Sequence, residues 1–184
     1  MLNIRPATPA DVPTMLRFIH ELATYEREPS AVIATETDLL RDGFSLAPDG
    51  TPLDSPARFR ALIADYSESP VESSAIPLAP AGFALYFTSY STWLGHHGIR
   101  LEDLYVTPSL RGKGIGRALL TRLAQIAIDE GCPRLEWDVL AWNAPAIAVY
   151  EKIGARMLSS WRIMRLSGDA LHALAGRAQC TRHR

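Results

Sequence analysis

The 184-residue chain has no apolar run near the roughly twenty residues that a membrane-spanning helix needs. Its first residues also lack the basic stretch and apolar core of a secretory leader, so a cytoplasmic protein that avoids the membrane is expected. Cysteine is scarce. Cys132 and Cys180 have neither metal-type spacing nor a histidine partner and read as passive thiols, with no metal site expected. His20, His96 and His97 lack a cysteine or carboxylate at ligand spacing and read as surface or loop residues. An excess of either charge is missing too. Nineteen Lys and Arg against twenty Asp and Glu leave a net charge of −1, so no global basicity points to nucleic acid. No repeat and no linker marks a second domain. The expectation is one domain over residues 1–184, with 168–184 as a tail that frays at its basic end, in a chain long enough for a substantial core.

What is present divides into recognisable elements. Asn3 to Ala7 reads as a strand, Pro9 to about Glu28 as a helix stopped before Pro29, and Thr35 to Asp42 as a shorter helix. Arg58 to Asp65 and Ala81 to Tyr90 read as antiparallel strands around a polar, proline-containing loop, Ser67 to Pro80, expected to be mobile. Ile99 to Val106 reads as a further strand, closed by Thr107-Pro108. A helix carries Ile115, Leu119, Leu123 and Ile126 at helical spacing and ends at Gly131. Arg134 to Leu140 and Arg156 to Leu166 are expected to supply the last strands.

The most informative stretch joins strand to helix as Arg111-Gly-Lys-Gly-Ile-Gly-Arg117. A helix start leaves backbone N–H groups without intrahelical partners and carries the positive end of the helix dipole, which favours anionic oxygens. Gly112, Gly114 and Gly116 remove side chains that would keep a ligand from those amides, and Arg111, Lys113 and Arg117 add charge. Spacing sorts the candidates. A nucleotide-triphosphate loop needs Gly-Lys followed by Ser or Thr, and no hydroxyl follows Lys113. A dinucleotide fingerprint needs a glycine where Arg117 stands, although Glu136 and Asp138 lie near the right distance for its acidic residue. The pattern that fits is Arg-x-x-Gly-x-Gly, met by Arg111, Gly114 and Gly116. It also occurs in ordinary strand-to-helix turns.

A second motif follows. Asn143 can cap a helix, Pro145 is tolerated in its first turn, and Gly154 can close it. Tyr150 comes seven residues, about two turns, after Asn143 and so shares its face. Trp137, Trp142 and Trp161 read as core or interface residues.

Together, the Arg111 to Arg117 loop and Trp142-Asn-Ala-Pro-Ala-Ile-Ala-Val-Tyr-Glu-Lys-Ile-Gly-Ala155 resemble the two signatures of the GNAT superfamily of N-acetyltransferases. Within it the chain is most similar to the spermidine/spermine (diamine) and thialysine N-acetyltransferases. The likeness runs from Ile4 to about Leu174 through Leu22-Ala-Thr-Tyr-Glu26, Asp38 to Phe44, Gly82-Phe-Ala-Leu-Tyr86, Tyr90 to Gly95 and Leu101-Glu-Asp103. There are two departures. Ser91 stands where the polyamine enzymes carry an acidic residue, a form that resembles the thialysine branch, and the segment from residue 45 to 80 is longer and richer in proline than the usual hairpin.

The resemblance implies an α+β (α/β) fold with a mixed, mostly antiparallel sheet of six to seven strands, about four flanking helices, and a splay between strands 4 and 5. It implies acetyl-CoA as donor, a primary amine of a small molecule as acceptor, direct transfer in a ternary complex, no metal, and a homodimer. Coenzyme A contacts are expected from Leu104, Tyr105, Val106, Arg111, Gly112, Lys113, Gly114, Ile115, Gly116, Arg117, Asn143 and Lys152. An amine with a pKa of about 10.4 arrives protonated, and Glu102 is expected to take its proton, directly or through a water. Tyr150 is the expected acid for the leaving thiolate, and the backbone N–H near Tyr105 or Val106 the expected oxyanion donor. Glu102 and Asp103 are strand neighbours, so they face opposite sides unless a bulge intervenes.

Acceptor contacts are expected from Tyr25, Glu26, Trp93 and Glu102, aromatic faces and carboxylates suited to an alkylammonium group. Each has a plainer reading: packing for Tyr25 and Trp93, a solvated helix end for Glu26, a core position for Tyr150. Acetylation of a protein lysine or N-terminus, and a non-catalytic acetyl-CoA-binding module, remain as alternatives.

Overall fold

Strand β1 (Leu2–Pro6) leads through a single 3-10 turn into helix α1 (Val12–Tyr25), and this entry is fixed by charge. Arg5 donates from both terminal nitrogens to Asp11 at 2.7 and 2.8 Å and from Nε to Asp65 at 2.7 Å. Asp11 also accepts from the Thr8 backbone N–H and hydroxyl at 2.7 and 2.8 Å, which caps the turn. The Arg5 guanidinium therefore holds the Asp11 carboxyl down at about 2. In this computed structural model, residues 1–68 and 78–176 are described; 69–77, which hold most of the loop expected from Ser67 to Pro80, and 177–184, with Cys180, lie outside them. The chain falls into two compact units, Met1–Leu140 and Ala141–Arg184.

In the first unit, α2 (Glu36–Phe44) starts at a reciprocal cap between Thr35 and Asp38. Strands β2 (Arg60–Tyr66), β3 (Ala79–Ser91), β4 (His96–Val106) and β5 (Leu135–Glu136) then build a sheet in the order β1-β2-β3-β4-β5. The first three pairings are antiparallel and the β4–β5 pairing is parallel. Helix α3 (Ile115–Asp129) buries Ile115, Leu119, Leu120, Leu123 and Ala127. Three of the four residues read from sequence, Ile115, Leu119 and Leu123, lie in this stripe, whereas Ile126 is half-buried and Ala127 takes the inward place; Gly131 is in the left-handed conformation just past the end.

On the α1 and α2 side, Val12, Met15, Phe18 and Leu39 pack on Ile63, Phe83, Leu85 and Tyr105. Phe18 is fully buried, with ring centroids 5.7 Å from Phe83 and 5.4 Å from Tyr105. Removing that ring would cost about 3–5 kcal/mol.

Two features of β4 position the site. The β3–β4 register pairs Leu85 with Asp103 and Tyr86 with Leu101, so Glu102 is the extra residue of a β-bulge. Leu85 and Tyr86 face opposite sides, hence Leu101 and Asp103 do too, and Asp103 joins Tyr105 on the α1 side. The second feature is an open edge. β5 pairs with Ile99 and Arg100 only, and β4 runs six residues further with no strand beside it among the described residues.

Strand count and length correct the expectation. Among the described residues the sheet has five strands where six to seven were expected, and the expected strand from Arg134 to Leu140 contracts to Leu135–Glu136. Beyond it, Arg100 pairs with Asp138. The second unit contains α4 (Ala144–Lys152) and α5 (Gly168–Leu174), making five α-helices among the described residues rather than about four, and no strand forms between Arg156 and Leu166. A β-prone run needs a ladder for its N–H and C=O groups, and the described residues of its own unit offer no strand to pair with.

Candidate active site

The glycine turn is built as its composition demands. Gly112 and Gly114 have φ of +79° and +83°, and Gly114 is the N-cap of α3 without any side-chain cap. A Cβ at either glycine would meet nothing within 4 Å, so the turn faces open space in front of the first helical amides. Ile115 is buried beneath it. Gly116 lies over Val106, where a Cβ would sit 3.6 Å from Cγ2.

The basic residues of this turn diverge. Lys113 pairs with Glu68 and lies 5.7 Å from the Tyr66 ring centroid. Arg117 is exposed and lines a groove of about 390 Å³ beside β1, together with Ile4, Gly114, Thr121, Arg122 and Gln125. Arg111 turns the other way. Its Nε–H donates to the Val106 carbonyl at 3.1 Å, and its guanidinium carbon lies 4.5 Å from the Tyr25 ring centroid and 5.9 Å from that of Tyr105.

Backbone geometry separates the two expected oxyanion donors. The Thr107 N–H donates to the Ala81 carbonyl at 2.9 Å, toward β3. Strand alternation then turns the N–H groups of Val106 and Leu104 to the open edge, and that of Tyr105 toward β3. Gly82 sets this distance. A Cβ there would stand 2.5 Å from the Tyr105 carbonyl oxygen and 3.3 Å from Val106 Cα, so only glycine lets β3 lie this close.

Around the bulge, carboxylates collect. Burial first, then the charges of Glu102 and Glu26, push Asp103 up to about 6. Burial also raises Glu26, the C-cap residue of α1. Tyr105 donates its hydroxyl to Glu21 at 2.7 Å, and burial followed by that bond pushes the phenol up to about 12. Arg17 holds Glu21 at 2.8 Å; Arg17, Glu21 and Tyr25, four residues apart, make one stripe of α1. Asp103 and Glu21 were not among the expected site residues, and Tyr105 was expected as a coenzyme A contact rather than beside the acceptor. The α1 stripe is visible in the spacing, whereas the face of Asp103 depends on the bulge.

Tyr25, Glu26, Glu102, Tyr105, Val106 and Arg111 are thus brought together. Trp93 is not. It lies in the β3–β4 turn, and strand rise puts about 20 Å between residue 96 and Glu102. Ser91 is buried at that turn, where its Oγ accepts from the Leu94 N–H at 3.3 Å. In the second unit, Asn143 caps α4 by accepting from the Ala146 N–H at 3.4 Å, Tyr150 lies in its last turns, and Lys152 ends it.

The acetyltransferase (GNAT) family model matches residues 41–155, which include the bulge, the glycine turn and α4. The chain belongs to the GNAT family. It is 38% identical over 179 residues to thialysine N-epsilon-acetyltransferase of Bos taurus, covering 95% of this chain and 97% of that one. It is 34% identical over 198 residues to an L-ornithine N5-acetyltransferase of Arabidopsis thaliana, covering 94% and 87%. Among solved structures it is similar to an integron cassette protein of V. cholerae, with TM-score 0.70, 26% identity, and coverage of 95% and 97%. This GNAT chain is an N-acetyltransferase, and GNAT enzymes take the acetyl group from acetyl-CoA. Among the described residues no group of three or more His, Cys, Asp or Glu could hold a metal ion, and no helix is long and apolar enough to cross a membrane.

Proposed function

We propose that this chain acetylates a primary amine of a small cationic molecule of the thialysine, ornithine or polyamine class. The observation that carries this reading is the grouping of Glu26, Glu102 and Asp103 beside the rings of Tyr25 and Tyr105, where a guanidinium already stacks. Carboxylates with aromatic faces suit an alkylammonium ion. The names of the relatives, with thialysine and ornithine as acceptors, agree with it.

Acetyl-CoA supplies the activated thioester, and the residues that fit it are the open amides of Gly112 to Arg117 and the free edge of β4 at Leu104 and Val106. Glu102 and Asp103 take the proton that the amine must lose. With Asp103 near 6, this pair holds a carboxylate that is ionised at neutral pH yet basic enough to accept a proton. The Val106 N–H meets the negative charge that grows on the acetyl oxygen. Tyr150 is assigned the proton donor to the departing sulfur, and Asn143 and Lys152 further cofactor contacts; the order and separation of the two motifs support this. We take both units as one catalytic domain acting as a cytoplasmic homodimer, which sedimentation would test.

The direct test is a thiol-release assay with thialysine, L-ornithine, spermidine, putrescine and lysine. Turnover above hydrolysis is expected with at least one of them. Bound acetyl-CoA with no acetylated product from any primary amine would sink the proposal.

A further inference from the structure

Arg111 belongs to the cofactor motif by sequence and to the acceptor site by placement. Its backbone follows the β4–α3 connection, one residue before Gly112, yet its guanidinium lies against Tyr25 on α1 and near Tyr105 on β4. That is where an acceptor ammonium would find two aromatic faces beside Glu26, Glu102 and Asp103. Its Nε–H is tied to the Val106 carbonyl. Within a strand, the N–H and C=O of one residue point the same way, so this carbonyl lies on the open edge of β4 with the proposed oxyanion donor. Arg111 therefore stands between the two substrate sites.

We propose that Arg111 couples those sites. Resting on the acetyl-transfer reading above, the proposal is that the Arg111 guanidinium competes with the acceptor cation for the Tyr25 face and exchanges that face for the diphosphate of coenzyme A. Its partners among the described residues are uncharged: the Tyr25 and Tyr105 rings and the Val106 carbonyl. A diphosphate offers charged oxygens in paired geometry, a stronger partner for a guanidinium. Cofactor binding clears the ring for the amine, and an amine on the ring frees Arg111 for the diphosphate. Thermodynamic linkage makes the two effects equal, so each ligand tightens the other by the same factor.

The experiment is calorimetric titration of L-ornithine, thialysine or putrescine into the full chain, with and without saturating coenzyme A, which binds without turnover. Coenzyme A is expected to tighten the amine at least about five-fold, the lower end of ordinary coupling. Arg111→Met keeps the stem and removes the cation. It should bind the amine without coenzyme A about as tightly as the wild type does with it, and the enhancement should vanish. A second readout needs no variant: the Arg111 Nε–H resonance, displaced by the Tyr25 and Tyr105 rings, should move on adding coenzyme A alone and on adding amine alone. Equal amine affinity in both conditions, an enhancement retained in Arg111→Met, or a resonance unmoved by either ligand would overturn the coupling. Those results leave acetyl transfer standing. Failure of all three amines to bind in either condition would instead remove the acceptor reading, and the coupling with it.

Discussion

Two groups of acidic side chains lie on the α1 side of the sheet and have opposite electrostatic characters. Asp11 and Asp65 share one guanidinium, and Arg5 with the Thr8 N–H and hydroxyl holds Asp11 far below the usual carboxylate range. Asp103 sits among Glu102 and Glu26, and all three causes acting on it, burial and two like charges, push it upward. The first arrangement fixes the entry of a helix. The second stores a tension that an incoming ammonium would relieve, which is why we place the proposed chemistry there.

The largest break in this contrast should come from Asp103→Asn. Loss of a tuned base is expected to lower kcat/KM by about 10²–10⁴. Its fold should not suffer: a carboxyl raised in the folded state favours folding below its unfolded pKa and loses that contribution as pH rises through about 6. Melting at pH 7.5 should therefore match or exceed the wild type, and a lower midpoint there would contradict the electrostatic account.

Next comes Tyr150→Phe, expected to slow transfer by about 10²-fold while calorimetry shows unchanged coenzyme A affinity. Unchanged turnover would remove the acid role.

On the structural side, Arg5→Met strands two carboxylates and should cost about 3 kcal/mol in urea unfolding near pH 7, with turnover per folded molecule almost intact. The sign reverses relative to Asp103: the depressed Asp11 contributes above its unfolded pKa and loses that contribution as pH falls toward about 2. The Arg5→Met penalty should shrink in acid. A penalty that is constant from pH 7 to 3 would disprove it.

The smallest readout, a displacement in pH beside the rate lost with one of the two proposed proton acceptors, should come from Glu102→Gln. Removing one neighbouring negative charge lowers the Asp103 pKa, so the acid limb of the pH–rate profile should move to lower pH. A limb displaced upward, or not at all, would separate Asp103 from the limb.

How much of this was legible in the amino acids differs between backbone and side chains. The glycine turn, the α3 stripe and the Asn143 cap are local, set by φ preferences and helical period, and each appears where spacing placed it, with Ala127 rather than Ile126 buried at the end of the stripe. The two-residue β5 was not legible, because Arg134 to Leu140 keeps its β-type composition while only Leu135 and Glu136 find a partner. The final strands fail for the same reason. The bulge at Glu102 is a mismatch of two strands and leaves no mark on either alone. In sequence Arg111 shows only its charge, which is compatible with either of the two proposed sites; its direction comes from the place of Tyr25 at the end of α1.

Gly82 carries no chemistry, yet it gives an unusual handle on the reaction. Because a methyl at that position would press directly on the Tyr105 carbonyl and Val106 Cα, Gly82→Ala acts as a shim between β3 and β4 and shifts the peptide that presents the Val106 amide. Every acid, base and cation stays in the sequence. The alanine variant thus isolates how finely the proposed oxyanion dipole must be aimed, a quantity that side-chain replacement cannot reach.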